Sequence, residues 1–275
     1  MGASFSSSSQ PQIPQNIRLY YFDISARAEA IRLCLYMAGI DFEDVRLQFD
    51  EWAVLKKNET ELGTQQTGPM GQMPILKFTL DGEEHMFCQS RSILRYVGRL
   101  AATRKSSNKK GGDAVPTYPV HDAIASLIVD QALDSLEDTF PGSFRAIMAE
   151  KDEAKKQEMI QEVLNKKLPE ALRRLDALIV SSNGGPSLTT TAENCETTTT
   201  WLPGGVLSIA DLSTYAFVDL CLSGFIAWMK EPGAALLNGY PNVMGVHRRV
   251  LQDARTKAWN SKVSAAKNKT DEPAS

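Results

Sequence analysis

The stretch 17-IRLYYFDISARAEAIRLCLYMAG-39, followed by 44-DVRLQ-48, decides the fold. Residues 17–22 are β-prone and aromatic, which predicts a strand. Ser25 stands where an N-cap belongs. A helix is predicted over residues 26–38, with Ala28, Ile31, Leu35 and Ala38 on one face and Gly39 closing it. Residues 44–48 read as a second strand. Strand, helix, strand favours a parallel pair joined by a crossover.

Outward from this unit, residues 52–57 suit a short helix, and the Gly-, Thr- and Gln-rich residues 63–71 a loop. A third strand, residues 74–78, opens on Pro74, and Asp81-Gly82 turns it back into residues 84–87 as a hairpin. Ile93, Leu94, Val97 and Leu100 then recur at helical spacing. Residues 17–102 thus form a small α/β unit behind a flexible tail, 1–16, and residues 103–117 have linker composition. Residues 118–263 read as all-helical. Helices are predicted over 121–140 and 153–180, the latter carrying Val163, Leu164, Leu168, Ala171, Leu172, Leu175 and Ile179. A low-complexity loop, 181–200, follows. Ser208-Ile-Ala-Asp211 has capping-box form before the apolar run 215–225, and residues 264–275 read as a polar tail.

Composition is ordinary for a globular chain, at 43% hydrophobic and 23% charged residues. A net charge of −3 offers no electrostatic footprint for nucleic acid. Cys34, Cys88, Cys195 and Cys221 form no CxxC and no zinc knuckle, and read as reduced thiols of a cytoplasmic protein. His85, His121 and His247 are scattered, so no histidine metal site is expected. No apolar run is long enough to span a membrane, and the Ser-rich start lacks a signal core. Residues 1–6, MGASFS, fit the N-myristoylation pattern, so Gly2 reads either as a lipid tether or as the start of a plain tail.

The order of elements resembles the thioredoxin fold, but the first strand–helix junction, Asp23-Ile-Ser-Ala26, holds no cysteine, which excludes disulfide exchange by a local dithiol. Tyr21-Phe22 followed by Arg27-Ala28-Glu29 instead resembles the opening of tyrosine-type glutathione transferases, the sigma class above all. Trp52 and Lys56, Gly71-Gln72-Met73-Pro74-Ile75, Gln89-Ser90 and the Ser208–Asp211 box match the same family in order, over about residues 17–262. The resemblance implies a thioredoxin-like glutathione-binding domain, an all-helical second domain and glutathione as co-substrate. It implies a homodimer acting on a small-molecule electrophile, by conjugation or by isomerisation of a prostaglandin-like endoperoxide. The competing reading is a non-catalytic glutathione-binding or structural relative, and a chaperone-type use of the same fold ranks behind it.

A free thiol near pKa 8.5 needs help to become a thiolate at neutral pH, and a neutral hydroxyl held beside the sulfur provides it. The family's Tyr-Phe pair selects Tyr21 for that hydroxyl, although pattern alone does not separate it from Tyr20 or from a core aromatic. By the same resemblance Phe22 lies beside it. Ser90 and Gln89, at a helix N-terminus, would receive the γ-glutamyl carboxylate. Pro74 would be cis and turn the Met73 backbone toward the tripeptide, with Trp52, Lys56 and Gln72 at the glycyl end. Arg27 either tunes the sulfur or makes an ion pair with Glu29 or a neighbouring helix. Asp130, Asp134, Glu137 and Asp138 share a helix face. They read as a solvated face or, by resemblance, as a dimer interface from which Asp138 reaches the partner's glutathione. In some members of the class such a stripe holds a divalent cation, so Mg is possible though no metal is required.

Overall fold

The alternation of Ile17, Leu19 and Tyr21 with Arg18 and Tyr20 sets the first strand, β1 (Gln15–Phe22), burying the first set beneath helices. The structure is a computed structural model and describes residues 13–62, 67–107, 115–139, 141–182 and 205–270. Gly2, most of the residues read as N-terminal tail and low-complexity loop, and residues 108–114 of the stretch read as linker lie outside the described residues. Helix α1 (Ala26–Met37) crosses over to β2 (Glu43–Leu47), which pairs parallel with β1, Tyr21 opposite Arg46. Gly39, at φ 61°, ends α1 as expected: its N–H bonds to the Tyr36 carbonyl and that of Ile40 to the Leu35 carbonyl.

Helix α2 (Phe49–Leu62) is longer than the short helix read at 52–57, and leads through the loop to β3 (Ile75–Leu80) and β4 (Glu83–Cys88). Asp81 and Gly82 both take positive φ, as a two-residue hairpin turn requires. The sheet order is β2-β1-β3-β4, with β3 antiparallel to both neighbours. Helix α3 (Ser90–Ser107) packs beside α1 and continues into residues read as linker, because its Arg, Lys and Ser residues extend a helix without an apolar face to signal it.

The helical part comprises α4 (Ala123–Thr139), α5 (Pro141–Ala149), α6 (Glu153–Glu162), α7 (Leu168–Ser182), α8 (Ile209–Leu222), α9 (Lys230–Leu237), α10 (Pro241–Gln252) and α11 (Ala254–Thr270). The single helix read over 153–180 is interrupted by a π turn, Val163–Lys167, where the Leu168 N–H bonds to the Val163 carbonyl. Pro169 is the physical cause: it lacks the N–H that would continue the ladder, and the wider turn makes room for its ring. Residues 264–270 extend α11 rather than starting a tail, for the propensity reason that extends α3.

Helix α8 is buried along most of its length and packs against α1, α4 and α10, so it is the axis of the molecule. Its capping box is present: Asp211 accepts from the Ser208 N–H at 2.7 Å and the Ser208 hydroxyl receives the Ala210 N–H. Gly98 of α3 lets this end approach, since a Cβ there would stand 2.7 Å from Ile209 Cγ2 and 3.1 Å from the Tyr118 nitrogen.

The α1 face toward α8 and α11 also buries charge. Glu29 accepts from Trp259 Nε1 at 2.7 Å and pairs with the fully buried Arg32. Nearby, burial and then the charge of Glu29 push Asp219 up to about 6, against the opposing hydrogen bond from Ser25. The folded chain therefore holds a proton here that the unfolded chain releases at lower pH. Stability from this site is greatest in acid and is lost as pH rises through about 6. Asp219→Asn should stabilise the protein at neutral pH by about 1–2 kcal/mol after solvent screening. The gain should vanish in acid when urea unfolding is measured on either side of that pH.

Candidate active site

The carboxyl ends of β1 and β2, the start of β3 and the start of α3 meet at one edge of the sheet. Tyr20 pairs with Ile75, so the cis Met73–Pro74 peptide lies beside the Tyr21–Phe22 end of β1. Tyr20 sits with Arg18 on the sheet's other face and hydrogen-bonds to it, which separates it from Tyr21. Tyr21 is 5% exposed and forms part of the wall of a cavity of about 360 Å³ between the α/β part and the helices. Its phenol oxygen accepts the Arg27 backbone N–H. Among the described residues nothing takes the phenol's own proton, which leaves the O–H free to donate. Burial raises its pKa, partly offset by the Arg27 amide and the Arg27 and Arg32 charges, so the phenol is neutral at neutral pH.

The expected groove residues converge along this edge. Gln89, at φ 78°, precedes α3, accepts the Ile93 N–H at 2.9 Å and donates its side-chain amide to Gln72 Oε1 at 3.4 Å. Ser90 is buried at the first position of α3. Lys56 lies over the Trp52 ring at 5.8 Å, and its stem reaches Gly71, beside Gln72 and Met73. Phe22 stacks on Phe49 at 4.2 Å, closing the groove toward α2. Asp138 stands apart from these groups, exposed on α4.

Two local expectations change. Ser25 does not cap α1 but bonds to Asp219, because the chain enters the helix through Ala26 at φ 37°. A β-carbon in that region is strained by about 1 kcal/mol. Ala26→Gly should therefore raise the melting temperature by a few degrees, with the thermal midpoint as the measurement. The acidic stripe, secondly, is largely neutralised within the chain. Arg95 reaches Asp130 at 2.5 Å and Asp134 at 2.6 Å. The ion-pair partner of Arg27 lies on the neighbouring helix rather than at Glu29: its guanidinium meets Glu137 Oε1 at 2.8 Å, while Glu29 is taken by Arg32 and Trp259. Among the described residues no group of three or more His, Cys, Asp or Glu side chains is arranged to hold a metal ion.

Sequence reading missed the far wall of the cavity. Phe144 of α5, Phe217 and Leu220 of α8 and Ile226 make it apolar. Arg91 of α3 enters beside Tyr21, against Glu137 and the Ser213 hydroxyl. Position 91 carries no sequence signal, since an arginine in a helix's first turn ordinarily reads as solvated surface. The result is an aromatic and aliphatic chamber with a phenol, two guanidinium groups and one carboxylate at one end.

Comparison with known proteins agrees with an α/β part followed by a helical part. A family model described as the glutathione S-transferase N-terminal domain matches residues 17–99, and one described as the C-terminal domain matches residues 137–263. Hematopoietic prostaglandin D synthase of Gallus gallus is 28% identical over 247 residues, 90% of this chain and 96% of its own. A class-mu 28 kDa glutathione S-transferase of Schistosoma haematobium is 31% identical over 206 residues, 74% and 78% of the two chains. The prostaglandin synthase D structure of Nilaparvata lugens superposes with a TM-score of 0.64 at 23% identity, covering 90% of this chain and 98% of that one. A sigma class structure from Fasciola hepatica superposes at 0.62 with 19% identity, covering 90% and 96%. The likeness to these two structures is one of fold.

Proposed function

This chain belongs to the glutathione S-transferase family, and on that premise we propose that it converts the glutathione thiol to a thiolate beside Tyr21 and delivers it to an electrophile in the apolar cavity. The observation that carries this reading is the free O–H of a neutral, buried Tyr21 in the wall of an apolar chamber that Phe22 and Arg91 also line. The thiol proton leaves to solvent, and the phenol then donates to the sulfur anion. Ser90 and the α3 amides hold the γ-glutamyl carboxylate, helped by Gln89. The Met73 backbone pairs with the cysteinyl residue, and Trp52, Lys56 and Gln72 hold the glycyl end.

Two electrophile classes suit the chamber. Conjugation of an apolar electrophile is the first. A relative named prostaglandin D synthase makes isomerisation of a lipid endoperoxide the second, with glutathione returned at the end. The reaction needs no metal. Two copies pair through α4, where Ile124 and Leu127 stand 68% and 63% exposed on the helix that carries Asp138, and Asp138 completes the partner's groove. No helix among the described residues is long and apolar enough to cross a membrane, and the buried free thiols of Cys34, Cys88 and Cys221 suit a cytoplasmic setting.

The test is retention on immobilised glutathione together with conjugation of a generic aryl halide. Retention and turnover are expected, and retention without turnover would favour a binding role. Ser90→Ala should raise KM for glutathione about tenfold with a smaller change in kcat, the size of one hydrogen bond to a charged group.

A further inference from the structure

Glu137 is shared. One oxygen meets Arg27 at 2.8 Å, and the other faces Arg91 Nε at 3.4 Å without full hydrogen-bond geometry. A single carboxylate between two guanidinium groups leaves one positive charge in excess, in a wall that also contains Tyr21. If Arg91 were absent, Glu137 would cancel Arg27 and the wall would be neutral.

We propose that Arg91 is a positioning residue for the thiolate: by occupying one face of Glu137 it keeps the wall cationic and leaves the Arg27 charge effective toward the sulfur. The inference rests on the thiolate reading above and assigns a role to a residue outside the glutathione groove. The surrounding groups are few. Arg27 comes from α1, Glu137 from α4, Tyr21 from β1 and the Ser213 hydroxyl from α8. Arg95, the next turn of α3, is taken up by Asp130 and Asp134 and adds little, and Arg32 acts on the Tyr21 ring from 5.7 Å. Burial lowers Arg91 to about 10, so the guanidinium remains charged at neutral pH.

A charge role and a packing role predict different responses. Arg91→Met keeps the stem and removes the charge. It should raise the pKa of bound glutathione by about one unit and lower kcat/KM at neutral pH about tenfold. Arg91→Lys should keep the wild-type pH profile. Glu137→Gln should move the thiol pKa the opposite way, downward, since it removes the anion. Arg91→Met with Glu137→Gln leaves Arg27 unopposed and should return the pKa toward the wild-type value, which repacking alone would not do. The thiolate ultraviolet band of bound glutathione reads all four.

A wild-type thiol that titrates like free glutathione overturns the thiolate reading and this inference with it. A depressed wild-type pKa that Arg91→Met leaves in place, or that the double variant fails to restore, overturns the inference alone. If Arg91→Met does not fold, Glu137→Gln decides, and a rise or no change in the thiol pKa overturns the proposal.

Discussion

Tyr21→Phe should lower turnover by about one to three orders of magnitude at neutral pH while leaving the protein folded. The substitution removes one oxygen and keeps the ring, so the packing of Ile17, Leu19 and Tyr21 against α1 is preserved. What disappears is a neutral donor. Because burial raises the Tyr21 pKa, the phenol keeps its proton at neutral pH, and the Arg27 amide fixes the oxygen so that the hydrogen points away from that bond. A thiolate in the cavity receives this hydrogen, whereas the ground-state thiol benefits far less, so the interaction acts on ionisation rather than on binding. The acidic limb of the kcat/KM profile should move upward by more than one pH unit, and the deficit should shrink in alkali, where the thiol ionises unaided. The affinity for glutathione should change little. An unchanged profile would take Tyr21 out of its role and leave the cavity with its arginines alone.

The features readable in the sequence were those set by neighbours along the chain. Residues 17–22 alternate, Gly39 ends a helix, Asp81-Gly82 closes a hairpin and Ser208 and Asp211 cap α8, each through contacts within a few residues. The groove was readable for a different reason: its residues were named by the motifs that resemble a known family, not by periodicity or spacing. What stayed hidden depends on distant partners. Arg27 finds Glu137, and Arg91 finds Glu137 and Ser213, only after α1, α3, α4 and α8 are packed. The ion pairs of the α4 acids stayed hidden because the arginines opposite them belong to other helices. Ser25 looked like a cap because a hydroxyl before a helix ordinarily is one, and its acceptor, Asp219, lies on α8. Periodicity reports which face is buried but not which cation meets which anion.

Arg32→Met should be the most destabilising single change considered for the α/β part, at about 3–5 kcal/mol. Arg32 is fully buried and has four partners: Asp44 at 2.9 Å, the Ile24 carbonyl at 2.7 Å, the Phe22 carbonyl at 3.2 Å and Glu29 at 3.3 Å. Methionine fills much of the volume but takes the charged donor away from the Ile24 carbonyl, from the Phe22 carbonyl, which keeps the Ile24 N–H, and from two carboxylates in a dry region. Asp44 is partly protected, since Arg46 also holds it at 2.8 Å, whereas Glu29 retains only the Trp259 N–H. Against a total of about 5–15 kcal/mol the loss is a large fraction, and the thermal midpoint should fall by about 10 °C. The carbonyls that lose Arg32 belong to the segment that carries Tyr21 and leads to Arg27, so kcat should fall as well, at temperatures where the variant is still folded. The charge argument makes a further demand. Adding Glu29→Gln removes the stranded anion and keeps an acceptor for Trp259, so the double variant should recover part of the stability. A further loss on adding Glu29→Gln would mean that Arg32 acts through packing rather than by satisfying buried charge.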